Sequence, residues 1–197
     1  MKIEDITVLI TSFRSKEKIY SCLQTLIKIH PDFDEIIKKI LIKDKTGEIL
    51  FIKDSKDILA KSLLDRLSKK GIKDLDRIKF LDRLTTEEFI QQCGKASVLL
   101  DPLYFGSGNS FHESMYYGTP TVSLPTNFLK SRIVMGAYKQ MKIDDAPIVN
   151  NIDDYVEKSV ELANLEENKA IDFKKYLSKQ RYEKNFFQFK VTVDNKV

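Results

Sequence analysis

Residues 101–125, DPLYFGSGNSFHESMYYGTPTVSLP, run as the end of a strand, a glycine loop, the start of a helix and the next strand. Just upstream, Ser97-Val98-Leu99-Leu100 is a short apolar run of the kind that forms a buried parallel strand, and Asp101-Pro102 stops it. Gly106-Ser107-Gly108 supplies a backbone that can turn tightly and lie close to a ligand. Asn109 or Ser110 is placed to cap the helix that follows, and Gly118-Thr119-Pro120 ends it. Three of the chain's seven glycines fall between 106 and 118, so glycine is concentrated here rather than scattered through ordinary turns. Such a loop sets unpaired N–H groups and the positive end of a helix dipole just outside a strand's carboxyl end, where an α/β sheet binds phosphate. The plainer reading of the same residues is an ordinary βα loop with two glycines.

Outward from this stretch the chain alternates strand-like and helix-like segments, which predicts an α/β layer architecture. Ile6–Ile10 and Lys18–Cys22 read as strands. Pro31 stands at a first helical position with Phe33, Ile36, Ile37 and Ile40 at helical spacing behind it. Glu48–Ile52 is a strand after the Thr46-Gly47 turn, and Leu59, Leu63, Leu64 and Leu67 face one side of a helix ending at Gly71. Arg77–Leu81 is the next strand, and Thr85-Thr86-Glu87-Glu88 reads as a capping box. After the glycine loop come a strand over Thr121–Leu124, a helix from about Phe128 to Gln140 and an extended Ala146–Val149. Asn151 caps a helix reaching about Ala163. The tail carries Phe173, Tyr176, Tyr182, Phe186, Phe187 and Phe189, too many aromatics for a merely solvated extension.

At 197 residues, 42% hydrophobic and 31% charged, the chain suits one domain with a sizeable core, or one and a half. No apolar run approaches the roughly 18 residues that cross a bilayer, and Met1-Lys2-Ile3-Glu4 does not open a signal peptide. The net charge of +4 comes from lysines spread among acids, without a basic block, so neither nucleic acid nor membrane is expected as a partner. Two histidines and two distant cysteines, Cys22 and Cys93, form no metal-ligand pattern. A reduced, cytoplasmic setting with both thiols in the core is the expectation.

Six positions invite chemistry. Asn109 and Ser110 can donate to phosphate oxygens, or serve only as N-caps. Glu113, one helical turn in, projects from the same helix end and suits ribose hydroxyls, although a dipole-stabilising acid is the plainer reading. His112 belongs to no recognisable triad and reads as a partly buried structural histidine. Lys28, in Leu26-Ile27-Lys28-Ile29-His30-Pro31, can reach a diphosphate from a strand's carboxyl edge, but by composition it is one lysine among many, and Arg132 has the same status.

Arg77-Ile78-Lys79-Phe80 through Asp101, the glycine loop, Gly118-Thr119-Pro120-Thr121-Val122-Ser123-Leu124-Pro125 and Ser131-Arg132 resemble the catalytic C-terminal half of O-linked N-acetylglucosamine transferases and of bacterial relatives that glycosylate adhesins. Leu26-Ile27-Lys28-Ile29-His30-Pro31 resembles that family's diphosphate-contacting lysine motif, and the resemblance spans roughly residues 17–165. It implies a GT-B glycosyltransferase, whose second Rossmann-like domain holds a UDP-sugar without a metal or other cofactor. Carried over, Lys28 would bind the diphosphate and assist UDP departure, while Gly108, Asn109 and Ser110 would line the diphosphate. Glu113 would take the ribose-binding acid position, usually Asp, and Arg83 and Leu84 fall in the loop whose backbone recognises uracil.

The departures point to the bacterial branch. Gly108, Asn109 and Ser110 stand where the animal enzymes have a histidine and two threonines, and Phe89 replaces a phosphate-contacting histidine. The implied organisation is an atypical strand segment over 1–16, a Rossmann-like UDP-sugar-binding domain over 17–165 and a helical, aromatic-rich tail over 166–197. Residues 4–13 resemble the opening strand of family 2, GT-A glycosyltransferases, but no Asp-X-Asp motif follows. The expected partners are a UDP-sugar and a protein or glycan acceptor, with a separate N-terminal half or a homo-oligomer completing the site. The competing expectation is a non-catalytic UDP-binding or interaction module derived from such an enzyme; an α/β domain that has lost its ligand is a third.

Overall fold

The computed structural model describes residues 18–183. The expected strand over Ile6–Ile10, the 1–16 segment and the aromatics Phe186, Phe187 and Phe189 lie outside the described residues, as does the Tyr182 side chain.

Five strands, β1 (Ile19–Thr25), β2 (Glu48–Ile52), β3 (Ile78–Leu81), β4 (Val98–Leu100) and β5 (Thr121–Val122), form one parallel sheet in the order β3-β2-β1-β4-β5. Parallel neighbours need crossovers, and helices supply them: α1 (Phe33–Lys43), α2 (Ile58–Lys69), α3 (Thr86–Lys95) and α4 (Asn109–Ser114). Then follow α5 (Ile133–Gln140), α6 (Ile152–Ala163) and α7 (Glu167–Glu183). This is the expected Rossmann-like α/β fold.

Because a strand's side chains alternate between faces, β1 feeds two cores at once. Tyr20 and Cys22 join Ile49, Phe51, Val98, Leu100 and Val122 under α1 and α6, where Phe33, Ile36, Ile37, Ile40 and Tyr155 are fully buried. On the opposite face Leu23 and Leu99 meet Cys93 and Ala96 at the end of α3. A separate cluster of Phe111, Met115, Val134, Tyr138 and Leu177 ties α4 and α5 to α7. Both cysteines are buried free thiols, and burial pushes both thiols up.

Three boundaries differ from the sequence reading. β1 runs on to Thr25, with an irregularity between Cys22 and Thr25, because buried Leu23 and Gln24 continue the strand past Cys22. β5 is only Thr121–Val122; Ser123 continues as a single parallel bridge to Ile148. The helix expected from Phe128 begins as a 3-10 turn over Leu129–Ser131, since Ser131 Oγ donates to Phe128 O (2.8 Å) and accepts from Thr126 N (2.9 Å).

The tail docks on this domain. Lys174, buried in α7, donates from Nζ to the carbonyls of Gly94 (2.9 Å) and Ala96 (2.7 Å), satisfying the end of α3. Gly118 has φ +63°, and a Cβ there would stand 1.9 Å from the Lys174 carbonyl oxygen, so only glycine fits. Phe173 is half-buried between the two larger clusters, whereas Tyr176 is exposed.

Candidate functional site

The order β3-β2-β1-β4-β5 reverses direction between β1 and β4. Outside the carboxyl ends of two such strands the connecting loops diverge to opposite faces and leave a crevice, the usual ligand position in an open α/β sheet. The turn Leu26–Lys28 leaves β1 there, and the glycine loop leaves β4 beside it.

The structure brings Lys28 and Ser110 together through a residue the sequence reading passed over. Lys28 Nζ donates to Gln24 Oε1 (2.9 Å), and Gln24 Nε2 donates to Ser110 Oγ. Gln24 is buried near the end of β1, and a long amide side chain four residues before Lys28 in a strand-like run is the sequence signal that could have found it. The Lys28 ammonium also lies 4.3 Å from the centroid of Phe105, and Lys130 Nζ lies 5.1 Å from the same ring. Phe105, 44% exposed, was not singled out by sequence. Beneath the loop, Ser21, Gln24, Phe89, Ser107, Ser110 and Thr121 line a small cavity. Among the described residues neither Ser21 Oγ nor Thr121 Oγ1 has a hydrogen-bond partner.

The loop is held in shape from inside. The Asp101 carboxylate accepts from Ser107 N (2.6 Å) and from Ser123 Oγ (2.6 Å). A Cβ at Gly106 would come within 2.7 Å of Asp101 Oδ2, so the missing side chain makes room for the carboxylate. Gly106 N donates to Lys130 O (3.1 Å). Tyr104 adopts the left-handed backbone conformation, φ +69°, with its hydroxyl donating to Asp32 (2.7 Å) and its ring edge-on to His30 at 4.7 Å.

The capping expectation needs correction. Gly108, not Asn109 or Ser110, is the N-cap of α4, and no side chain caps it. Asn109 and Ser110 are its first two helical residues; Asn109 is exposed and Ser110 half-exposed. Among the described residues the N–H groups of Gly108, Asn109 and Ser110 have no acceptor. By contrast, the N-terminus of α2 is filled by Asp54, whose carboxylate accepts from Ile58, Leu59 and Ala60 N, and α3 is closed by the Thr85/Glu88 capping box. Since α4 has only six residues, its dipole is short, and an anion here would rely on the individual amides and on Lys28.

Glu113 is half-buried on α4 and makes no ion pair with a described residue. His112 beside it is half-buried, and burial together with Arg181 holds its imidazole below the usual value. Arg83 and Leu84 lie in the connection from β3 to α3 at the same sheet edge, Arg83 exposed, and among the described residues no hydrogen bond or ion pair joins either to Lys28 or Ser110. Arg132 is engaged structurally, its Nε donating to Thr126 O (2.6 Å). Among the described residues no group of three or more His, Cys, Asp or Glu could hold a metal ion, and no helix is long and apolar enough to cross a membrane.

No family model matches the sequence, and no curated protein sequence does either. Solved structures match the fold. An O-GlcNAc transferase of Thermobaculum terrenum superposes with a TM-score of 0.76 at 15% identity, over 87% of this chain and 33% of that one. The S. aureus protein TarM, solved with UDP among its ligands, gives 0.62 at 20% identity over 86% of this chain and 33% of that one. The C-terminal domain of a glycosyl transferase group 1 family protein from Francisella tularensis gives 0.62 at 15% identity and covers 90% of both chains. The fold is therefore that of the C-terminal domain of GT-B glycosyltransferases. The chain spans about a third of the length of the first two.

Proposed function

We propose that this chain binds a UDP-sugar in the crevice between β1 and β4 and acts as the donor-binding half of a glycosyltransferase, passing the sugar to a protein or glycan acceptor. One observation carries this reading: the Lys28 ammonium is linked through Gln24 to Ser110 at the sheet's switch point, where the N–H groups of Gly108–Ser110 have no acceptor among the described residues. The fold shared with UDP-sugar enzymes supports it. In the reaction the acceptor atom attacks the anomeric carbon and gives up its proton to water, the bond from that carbon to the diphosphate oxygen breaks, and the electron pair leaves with UDP. Lys28 and the loop amides offset the charge developing on that oxygen, which is the work a divalent cation performs in other transferases. No metal is assigned a step. Asn109 and Ser110 would bind phosphate oxygens, Glu113 the ribose hydroxyls, and the backbone at Arg83 and Leu84 the uracil. The acceptor side would come from a separate N-terminal half or a second copy of the chain.

Calorimetric titration of UDP tests this. The wild type is expected to saturate, and Lys28→Ala and Ser110→Ala each to weaken binding by about tenfold, roughly 1.4 kcal/mol. A folded wild type that binds no UDP at millimolar nucleotide overturns the proposal. A second reading is a non-catalytic UDP-binding module derived from such an enzyme. It predicts Lys28-dependent UDP binding with no release of UDP from UDP-sugars, with or without added acceptor.

A further inference from the structure

The Asp101 carboxylate has a position that a strand-ending residue does not require. It sits at the carboxyl end of β4, 3% exposed, and holds two separate pieces of chain. One oxygen takes the Ser107 N–H in the glycine loop; the other takes the Ser123 hydroxyl just after β5. Its own backbone carbonyl accepts from Tyr155 OH (3.0 Å), fixing it to α6 as well. Gly106, by lacking a side chain, lets the loop close over this carboxylate. The three residues after Ser107 are those whose amides lack acceptors among the described residues.

We propose that Asp101 is a positioning residue for the donor site: its carboxylate draws Ser107 inward, and so turns the Gly108–Ser110 amides outward to meet the diphosphate. The proposal rests on the UDP-sugar reading and adds to it a residue that touches no ligand. An anion buried directly behind an anion-binding loop also explains the spacing of charge. The loop amide takes the inner carboxylate, leaving the next three amides for the outer anion, and Lys28 is the cation that faces Asp101. Cys22, Tyr138 and Tyr155 face it too, and burial keeps each of them neutral in the physiological range. Burial pushes the Asp101 carboxyl up to about 6, against the hydrogen bonds from Ser123 and Ser107 and the Lys28 charge. Below that pH the carboxyl gains a proton and its hold on the Ser107 amide weakens.

The test uses two readouts on the full chain. UDP-glucose is the nucleotide probe, because its diphosphate is esterified at both ends, whereas free UDP has a terminal phosphate ionising at about 6. Calorimetric affinity is measured from pH 5 to 8 for wild type, Asp101→Asn and Gly106→Ala, with hydrogen exchange of the Ser107 amide on the unliganded proteins. The expected results are an affinity of the wild type falling about tenfold from pH 7.5 to 5, and a flat, weaker profile for Asp101→Asn. Asparagine can still accept from Ser107 and donate to Ser123, so that variant folds and isolates the charge; His112, present in all three proteins, cannot account for the difference. Gly106→Ala keeps the carboxylate but crowds it, and is expected to speed Ser107 exchange and weaken binding together. If Asp101→Asn matches the wild type in affinity and pH profile and only its melting temperature falls, the role is structural and the proposal is overturned. If no protein binds the nucleotide, the UDP reading fails. Ser107 exchange then still decides the loop: protection lost in Gly106→Ala, where the added methyl group crowds the carboxylate, upholds the latch, and unchanged protection there removes it.

Discussion

Asp44 and Asp101 are both buried carboxylates, and their surroundings push them in opposite directions. Burial alone would raise Asp44, but hydrogen bonds from Thr46, Tyr20 and Gly47 outweigh it and hold the carboxyl at about 2. A carboxyl lowered on folding contributes stability that is present above about pH 4 and lost as pH falls toward 2. Asp101, raised on folding, has the reverse sign: between about pH 6 and 4 it favours the folded state more as acid is added. Acid unfolding followed by circular dichroism is therefore expected to steepen below pH 4. Asp44→Asn should flatten that limb without abolishing it, because half-buried Asp54 and exposed Glu88 are also lowered by the backbone amides they accept from. An unchanged acid limb in Asp44→Asn would refute the assignment. At this scale the sequence showed charge and hid polarity. Lys28 stood out only through the resemblance of its motif, whereas Gln24 carries no charge and Asp101 looked like a breaker beside Pro102.

Among the elements, those governed by neighbours a few residues apart were legible. The Thr85 to Glu88 capping box formed as read, and Asn151 caps α6 by accepting from Asp154 N (2.8 Å). α4 was misread because its first turn is set by Asp101 and Gly106, residues brought in by the fold rather than by helix propensity. α7 packs closely against the turn that ends α4. Gly118→Ala places a methyl group against the Lys174 carbonyl and strains a positive φ. A loss of about 2–4 kcal/mol in urea unfolding is expected, with α7 becoming the first segment open to proteolysis. A cost below about 0.5 kcal/mol would mean that α7 does not seat on this turn.

At the scale of the molecule, the alternation of segments disclosed the layered sheet, but not which loops would share an edge. Of the eight most exposed large apolar side chains among the described residues, six lie in the connections leaving the strands' carboxyl ends or in the first turn of the helix that follows: Ile27, Ile58, Leu59, Phe105, Phe128 and Leu129. Replacing Ile27 and Leu129 with serine should change unfolding by no more than about 0.5 kcal/mol while lowering the fluorescence of a bound apolar dye. Unchanged dye binding would place the exposed apolar surface elsewhere. The sheet order has a further consequence, for synthesis. β1 is central, so a nascent chain builds outward on one side through β2 and β3 before β4 emerges to occupy the other. The glycine loop is translated into a half-built molecule, and the lysine that satisfies Gly94 and Ala96 comes last. A ribosome stalled before Lys174 has emerged would display the five described strands with the seam between α3 and α7 still open.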